Sequence, residues 1–407
     1  MARAGTLAFA TAVAGHTPTR TTVKLEGVTV DRILPSGEAY ELLGLTEDIA
    51  RGELAPRAAG HEARGEFPRE VLRMIGRAGL LGLPYPESAG GAGQPYEVYL
   101  QVLEVLAGAW AAIAESVSVH TLSCFPVFAF GGERQRKLLP DMLGGELLGA
   151  YCLSEPQGGS DAAHLTTRAV RDGQDYVIDG TKAWITHAGR ADFYNVFART
   201  GGPGADGISC LLADADTPGL LPQRPERLMG MRSSPPAPIV FEGARVPADR
   251  LIGDEGVGFK IAMQALDAGR LGIAACAVGL AQAALDYAVA YAREREQFGK
   301  PIAAFEGMRF LLADMATQVA AGRALVLWAA RLKDAGRPFS TQAAQAKLFA
   351  TDAAMRVTTD AVQVLGGYGY VSDHPVERWF REAKALQIVE GTNQIQRLVI
   401  GRALTRG

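Results

Sequence analysis

The sequence predicts a mostly α-helical chain with a β-domain in its middle. Three observations predict it. Apolar residues fall at helical spacing from Ala39 to about Gly145, short strand-like runs occupy Gly149 to Val246, and helical spacing returns from Phe259 almost to the end. Length agrees: 407 residues exceed one ordinary core, and roughly 150 residues per domain suggests two or three domains. The expected boundaries are a flexible extension over 1–37, a helical domain over 38–147, a β-domain over 148–257 and a helical bundle over 258–407.

Taken in order, Met1–Ser36 faintly imitates a signal peptide, with Arg3 before the apolar Leu7–Ala14. That run is short and alanine-rich, so the segment reads as an extension, not a secretion signal. Glu66–Leu72 opens a helix with Pro68 in its first turn. Pro84–Gly93 is a loop, and Tyr96–Ala114 reads as one long apolar helix. In the middle region, Asp175–Ile178, Phe193–Phe197, Ile208–Leu212 and Pro238–Phe241 are bounded by Gly, Pro and Asp, the spacing of an antiparallel sandwich or barrel. After Phe259 come four long helical segments rich in alanine, which favours helix and permits close packing. No short repeat period appears, which argues against a solenoid.

Composition excludes several classes. Forty-one basic against 44 acidic residues give a net charge of −3, no field for a polyanion, so nucleic-acid binding is not expected. The most membrane-like uncharged stretch, Leu271–Leu285, is 15 residues long and interrupted by Gln282. A spanning helix needs about 20 apolar residues, so a buried core helix and no membrane insertion are expected. Cys124, Cys152, Cys210 and Cys276 form no CxxC and suit a reducing, cytoplasmic compartment. Gly202–Gly207 matches GxGxxG, but a strand follows it where a helix should open, so it reads as a hairpin loop. Six histidines show no metal-ligand spacing, and no metal is expected. The absence of GxSxG weakens a hydrolase reading.

Four segments could carry chemistry, and each also has an ordinary structural reading. Tyr151–Asp161 ends a strand in a Gly-rich turn with two hydroxyls and free backbone N–H groups able to meet phosphate; it could equally be a plain turn. Gly180–His187 can place the Trp184 indole and the Thr186 hydroxyl on one strand face, or simply bury half a tryptophan. Gln363–Tyr370 breaks a helix with three glycines, which admit a ligand or merely end the helix. Ile388–Gln394 sets Glu390 after an apolar pair, with Asn393…Gln396 resembling a capping box. A carboxyl in apolar surroundings gains proton affinity, which suits a general base; an exposed loop glutamate is the commoner alternative.

Together and in this order, these segments resemble the acyl-CoA dehydrogenase family from about Glu38 to the C-terminus. Arg245–Phe259, Tyr291–Gly299 and Pro375–Ala383 match as well. The resemblance implies an N-terminal helical domain, a middle β-domain, a C-terminal four-helix bundle and non-covalent FAD. It implies that Tyr151, Cys152, Leu153, Ser154 and Ser160 line the flavin, and that Trp184, Ile185 and Thr186 cover its ring. Arg295, Gln297 and Phe298 match a motif reaching FAD in a neighbouring subunit, Gln363, Leu365, Gly366 and Gly367 match a loop on that cofactor half, and Thr392 and Gln394 match closing contacts. Ser160, Asp267, Arg270 and Gly391 match substrate positions, and Glu390 matches the catalytic base. Such a site implies α-proton abstraction by Glu390, hydride transfer to flavin N5 and a trans-2-enoyl thioester product. Enolate charge would be met by hydrogen bonds from a flavin ribityl hydroxyl and the Glu390 N–H. An electron-transfer flavoprotein as acceptor and a homotetramer, a dimer of dimers, are implied too.

The chain departs from the family pattern at Glu306, where glutamine is common, at Leu228, at Pro235-Pro236 and in Pro86–Gly91, which lacks the usual aromatic residue. The first puts an adenosine-end contact in doubt; the others point to altered loops at the substrate entrance. An acyl-CoA oxidase, or a dehydrogenase of a carrier-protein-bound acyl thioester, is the alternative on the same fold. A non-catalytic acyl-thioester-binding protein is more remote, because Glu390 is retained.

Overall fold

The computed structural model describes residues 32–405. The signal-like stretch, and the expected extension up to residue 31, lie outside the described residues. Helix α1 (Gly37–Ile49) starts where the Ser36 hydroxyl accepts the Ala39 N–H at 3.1 Å. One π-helical turn, Ala50–Leu54, leads to α2 (Ala55–Arg64), and α3 (Arg69–Arg77) begins directly after Pro68. The single helix expected over Tyr96–Ala114 is two, α4 (Tyr96–Ala109) and α5 (Ala111–Phe130). Trp110 breaks them by adopting an extended conformation, φ −158° and ψ 97°. Its indole is buried, and its N–H donates to Ser233 Oγ at 3.1 Å and Glu62 Oε1 at 3.3 Å. A buried donor must find an acceptor, and that requirement outweighs local helix propensity. Short helices α6 (Glu133–Arg136) and α7 (Leu139–Leu143) lead into the sheet.

Eight strands form that sheet: β1 (Gly149–Cys152), β2 (Arg168–Asp172), β3 (Asp175–Ile185), β4 (Phe193–Arg199), β5 (Ile208–Asp214), β6 (Leu220–Pro222), β7 (Ala237–Pro247) and β8 (Leu251–Ile252). Their order is β6-β7-β3-β2-β4-β5-β8, with β1 beside β4. The sheet is mixed, not purely antiparallel as the strand spacing suggested. β1 runs parallel to β4, from Gly149 opposite Phe193 to Cys152 opposite Val196, and β2 meets β4 in parallel at Arg168 and Arg199. Parallel neighbours need a long crossover, and the β2–β3 hairpin between β1 and β4 supplies one. β4 is buried on both faces, and its one polar interruption among Phe193–Ala198, Asn195, is satisfied by donating to the Ser123 carbonyl at 2.7 Å. Tyr194 and Val196 pack with Cys152 and Ile178 inside the β-domain, while Phe193 and Phe197 pack against Val127 of α5 and Ile261. Gly202–Gly207 lies in the β4–β5 hairpin connection, as expected.

Ile261 belongs to α8 (Gly258–Glu294), the longest helix at 37 residues. A small hairpin, β9 (Glu296–Gln297) and β10 (Lys300–Pro301), connects it to α9 (Glu306–Asp334). α10 (Ser340–Leu365), α11 (Val376–Leu386) and α12 (Asn393–Thr405) follow. The four long segments expected are therefore three long helices and two short ones, because Gly366, at φ 60°, ends α10 in a 3-10 turn over Gly366–Tyr370. α8 packs against α4, α5, α9 and α10, and Leu271–Leu285 is core, as expected. Helices α5, α8 and α9 are long and apolar enough to cross a membrane by length and composition. The apolar stretches of α5 and α8 are mostly buried within the chain, whereas that of α9 is only 28% buried.

Candidate active site

Glu390 lies in the turn between α11 and α12, in the left-handed conformation at φ 52°, followed by Gly391 at φ 92°. Its side chain points inward. Both carboxyl oxygens are buried, with no hydrogen-bond partner among the described residues. The carboxyl rests on Gly269 of α8, where an added Cβ would meet Oε2 at 2.1 Å and Leu122 Cδ1 of α5 at 2.8 Å. Only glycine leaves this room. Lys347 of α10, fully buried, secures the turn by donating to the Gly391 carbonyl and to Asn393 Oδ1, both at 3.0 Å. Gln396 Nε2 donates to the same carbonyl at 2.7 Å.

The capping box expected at Asn393…Gln396 is not formed. Thr392, one residue earlier, caps α12 by accepting the Ile395 N–H at 3.3 Å. Asn393 is instead buried against Thr351 and Asp352, and Gln396 is occupied with Gly391. Burial, and then the charge of Glu115, push the Glu390 carboxyl up to about 8, with Lys347 and Arg270 opposing. Burial likewise pushes Lys347 down to about 7, against the pull of Glu390.

The Tyr151–Ser160 turn is anchored from below by a buried ion pair, Lys182 Nζ to Glu155 Oε1 at 2.8 Å. Lys182 also donates to the Leu153 carbonyl at 3.1 Å, and Glu155 accepts the N–H groups of Thr166 and Thr167 at 2.7 and 2.9 Å. Burial alone would raise Glu155, but Lys182 and these donors hold it down to about 2. Cys152 and Leu153 are buried, Tyr151 and Ser154 half-buried, and Gly159 and Ser160 exposed. The Ser154 carbonyl accepts the Ala183 N–H at 2.9 Å, which joins the turn to β3.

The end of β3 is irregular. Its register against β7 shifts between Lys182 and Ile185, and Trp184 and His187 take positive φ of 61° and 67°. The expectation that Trp184 and Thr186 share a face therefore fails. The indole is 61% exposed, whereas the Thr186 hydroxyl donates inward to Glu115 Oε1 at 3.2 Å. Ile185 is core.

Arg270, nearly buried, pairs with Asp267 at 2.5 Å, and Ser340 donates to the same Asp267 oxygen at 2.9 Å. Arg295, at the end of α8, stacks 5.8 Å from the Tyr368 ring, which brings the β9–β10 hairpin beside the Gly366–Tyr370 turn. At the hairpin tip Phe298 is 94% exposed, with φ 53°. Gln297, Gln363, Gly366, Gly367 and Gln394 are exposed, and Leu365 is buried. The fold thus gathers Glu390, Arg270 and, through Glu115, Thr186 into one interior. It places Gln297, Phe298, Gln363, Gly366 and Gly367 at the surface, where Arg295 meets Tyr368. Among the described residues no His, Cys, Asp or Glu group could hold a metal.

Sequence reasoning passed over Glu115, Lys347, Gly269 and the Glu155–Lys182 pair. The available signal was a lone charge inside an apolar helical run, as for Glu115 in Ala111–Phe130.

Models of the acyl-CoA dehydrogenase N-terminal, middle and C-terminal domains match residues 36–146, 150–244 and 256–405. An acyl-CoA dehydrogenase of Bacillus subtilis (strain 168) is 45% identical over 366 residues, 89% of this chain and 97% of that protein. Butyryl-CoA dehydrogenase from Megasphaera elsdenii superimposes with a TM-score of 0.90 at 41% identity, covering 93% of this chain and 100% of that one. A chain in the structure described as the electron transferring flavoprotein of Acidaminococcus fermentans gives a TM-score of 0.91, also at 41% identity and over the same shares. With the matched models spanning nearly the whole described chain, the protein belongs to the acyl-CoA dehydrogenase family of FAD-dependent oxidoreductases that act on CH–CH bonds.

Proposed function

We propose that the chain dehydrogenates a short-chain acyl-CoA thioester to its trans-2-enoyl product, with Glu390 as the base. One observation carries the reading: the Glu390 carboxyl is buried, unpaired and aimed into the interior by a strained turn. A carboxyl that is costly to ionise binds a proton strongly once ionised, which suits abstraction from a weakly acidic carbon. The short chain is supported by the likeness to butyryl-CoA dehydrogenase.

The residues present fit FAD. An exposed indole stands over the end of β3, which is hydrogen-bonded to a turn whose Gly159 and Ser160 are open. Tyr151–Ser154, Ser160, Trp184, Ile185 and Thr186 would hold its ring half, with Thr392 and Gln394 closing the site. Arg295, Gln297, Phe298, Gln363, Leu365, Gly366 and Gly367 would hold the other half in a second subunit. When bound, FAD supplies the acceptor for the substrate's β-hydride. Glu390 takes the α-proton. Its backbone N–H makes no hydrogen bond among the described residues and is free to donate to the thioester carbonyl as negative charge develops there. Such a donor is often worth about 3–4 kcal/mol. Lys347 and Gln396, by fixing Gly391, hold that N–H in place. Asp267 and Arg270 would meet the CoA moiety.

A homotetramer follows the same reading. Phe298 at a bare hairpin tip and the largely uncovered apolar stretch of α9 both call for a neighbouring subunit. An electron-transfer flavoprotein is the proposed acceptor, in a cytoplasmic setting. The purified protein should be yellow and bleach anaerobically with butyryl-CoA, and a series of longer and branched acyl-CoAs tests the chain length. Glu390→Gln should bind substrate and leave the flavin oxidised; bleaching at the wild-type rate would overturn the assignment. Rapid peroxide formation in air would instead favour an oxidase.

A further inference from the structure

A second carboxyl shares the interior with Glu390. Glu115, on α5, is 5% exposed and has no cationic partner in its hydrogen-bond shell. Its two oxygens accept from Thr186 Oγ1 at the end of β3 and from Ser234 Oγ in the β6–β7 connection, each at 3.2 Å. Ser234 Oγ lies 2.9 Å from Ser116 Oγ, so the hydroxyls form a chain leading away from Thr186.

The path between the two carboxyls can be followed along two packed helices. On α8, Gly269 touches Glu390 and Leu122, and Gly272 touches Ser118; Cys276 feels the charges of both Glu115 and Glu390. On α5 the same path reads Leu122, Ser118, Glu115. Along α5, Leu122, beside the Glu390 carboxyl, and Glu115 are two helical turns apart, a rise of about 10 Å. The groups facing Glu390 from the packed elements are Lys347 of α10, Arg270 and Cys276 of α8, Tyr96 and Tyr99 of α4, and Tyr151 of β1. Both cations are already engaged, Lys347 with the base turn and Arg270 with Asp267.

We propose that Glu115 is a positioning residue for the reaction: it anchors the Thr186 hydroxyl and, as the second negative charge in the cleft, sets the pH at which Glu390 becomes an active base. This rests on the reading of Glu390 given above. Burial lifts Glu115 to about 7 even though its two hydroxyl partners pull it down. After burial, its charge is the largest influence raising Glu390. The two carboxyls titrate as a pair, in two steps. Both are raised above their ordinary value, so the stability they contribute is complete below the unfolded carboxyl range. It is lost as pH rises through about 7 and 8.

Glu115→Gln keeps the shape and one acceptor oxygen while removing the charge, its amide donating where the second oxygen accepted. In anaerobic stopped-flow reduction by butyryl-CoA, the acid limb of the rate profile should move down by on the order of one pH unit. Separately, in the oxidised holoenzyme without substrate, the thermal midpoint of the wild type should fall between pH 6 and 9, and that of Glu115→Gln should fall much less. An unchanged acid limb together with an unchanged stability profile overturns the proposal. Should the variant not fold, Ser234→Ala removes one hydroxyl that favours the ionised Glu115. The lower titration step should then move up, and a fixed step refutes the pair. If no acyl-CoA bleaches the wild type, the dehydrogenase reading fails, while the stability titration still decides whether the carboxyls are coupled.

Discussion

Replacing Gly269 with alanine should disable the proposed base, Glu390, without damaging the fold. The added Cβ would lie 2.1 Å from Glu390 Oε2 and 2.8 Å from Leu122 Cδ1. Ordinary contact begins near 3.5 Å, so the carboxyl must retreat by at least about 1 Å. Both atoms sit at the free ends of flexible side chains, and the substitution gains about 1 kcal/mol of helix propensity in α8. The thermal midpoint should therefore hold or rise. A misplacement of about 1 Å in a reacting group can cost about 100-fold in rate. Anaerobic flavin reduction by saturating butyryl-CoA measures the rate, and circular dichroism measures the midpoint. A well-folded Gly269→Ala variant within about threefold of the wild-type rate would refute the idea that α8 aims this carboxyl.

Three other perturbations follow from the same geometry. Lys347→Met leaves the Gly391 carbonyl short of a donor and Asn393 Oδ1 without its ammonium partner. It should cost about 2–5 kcal/mol in urea unfolding and slow flavin reduction, while a wild-type denaturation curve would show that the turn holds itself. Lys182→Met strands the buried Glu155 carboxylate and should cost about 3–5 kcal/mol at pH 7. Glu155 is depressed to about 2, so the wild-type pair's stabilisation is present above the ordinary carboxyl range and lost as pH falls through 2. The variant's deficit should accordingly shrink in acid, and a pH-independent deficit would count against the pair. Glu390 is raised to about 8, so Glu390→Gln should gain more thermal stability at pH 9 than at pH 6; an equal gain would contradict the burial of the charge.

The α–β–α order was legible because periodicity reports which face each residue buries, and that survives in Phe193–Phe197 and in Leu271–Leu285. What local pattern could not show were choices made by distant partners. Trp110 leaves its helix for acceptors on Glu62 and Ser233, far away in sequence. β1 pairs in parallel with β4 because a hairpin lies between them. The final helix is capped by Thr392 instead of Asn393 because Lys347, Thr351 and Asp352 claim the asparagine. The indole and hydroxyl of Trp184 and Thr186 part company at a bulge that alternation does not encode. Glu390 was readable as a carboxyl among apolar neighbours. The groups that tune and hold it, Glu115 and Lys347, are single charges within helical runs whose faces become clear only once α5, α8 and α10 are packed.

Among the described residues, the non-glycine positions with left-handed backbones are Trp184, His187, Met231, Phe298 and Glu390. Each carries roughly 1 kcal/mol of strain that glycine would relieve. Selection for heat resistance alone would thus push against the same places where an indole, a phenyl ring and a carboxyl have to be displayed. Libraries built to harden this scaffold should hold the codons for Trp184, Phe298 and Glu390 fixed, because the proposed site draws on these three strained positions, and seek their gains elsewhere.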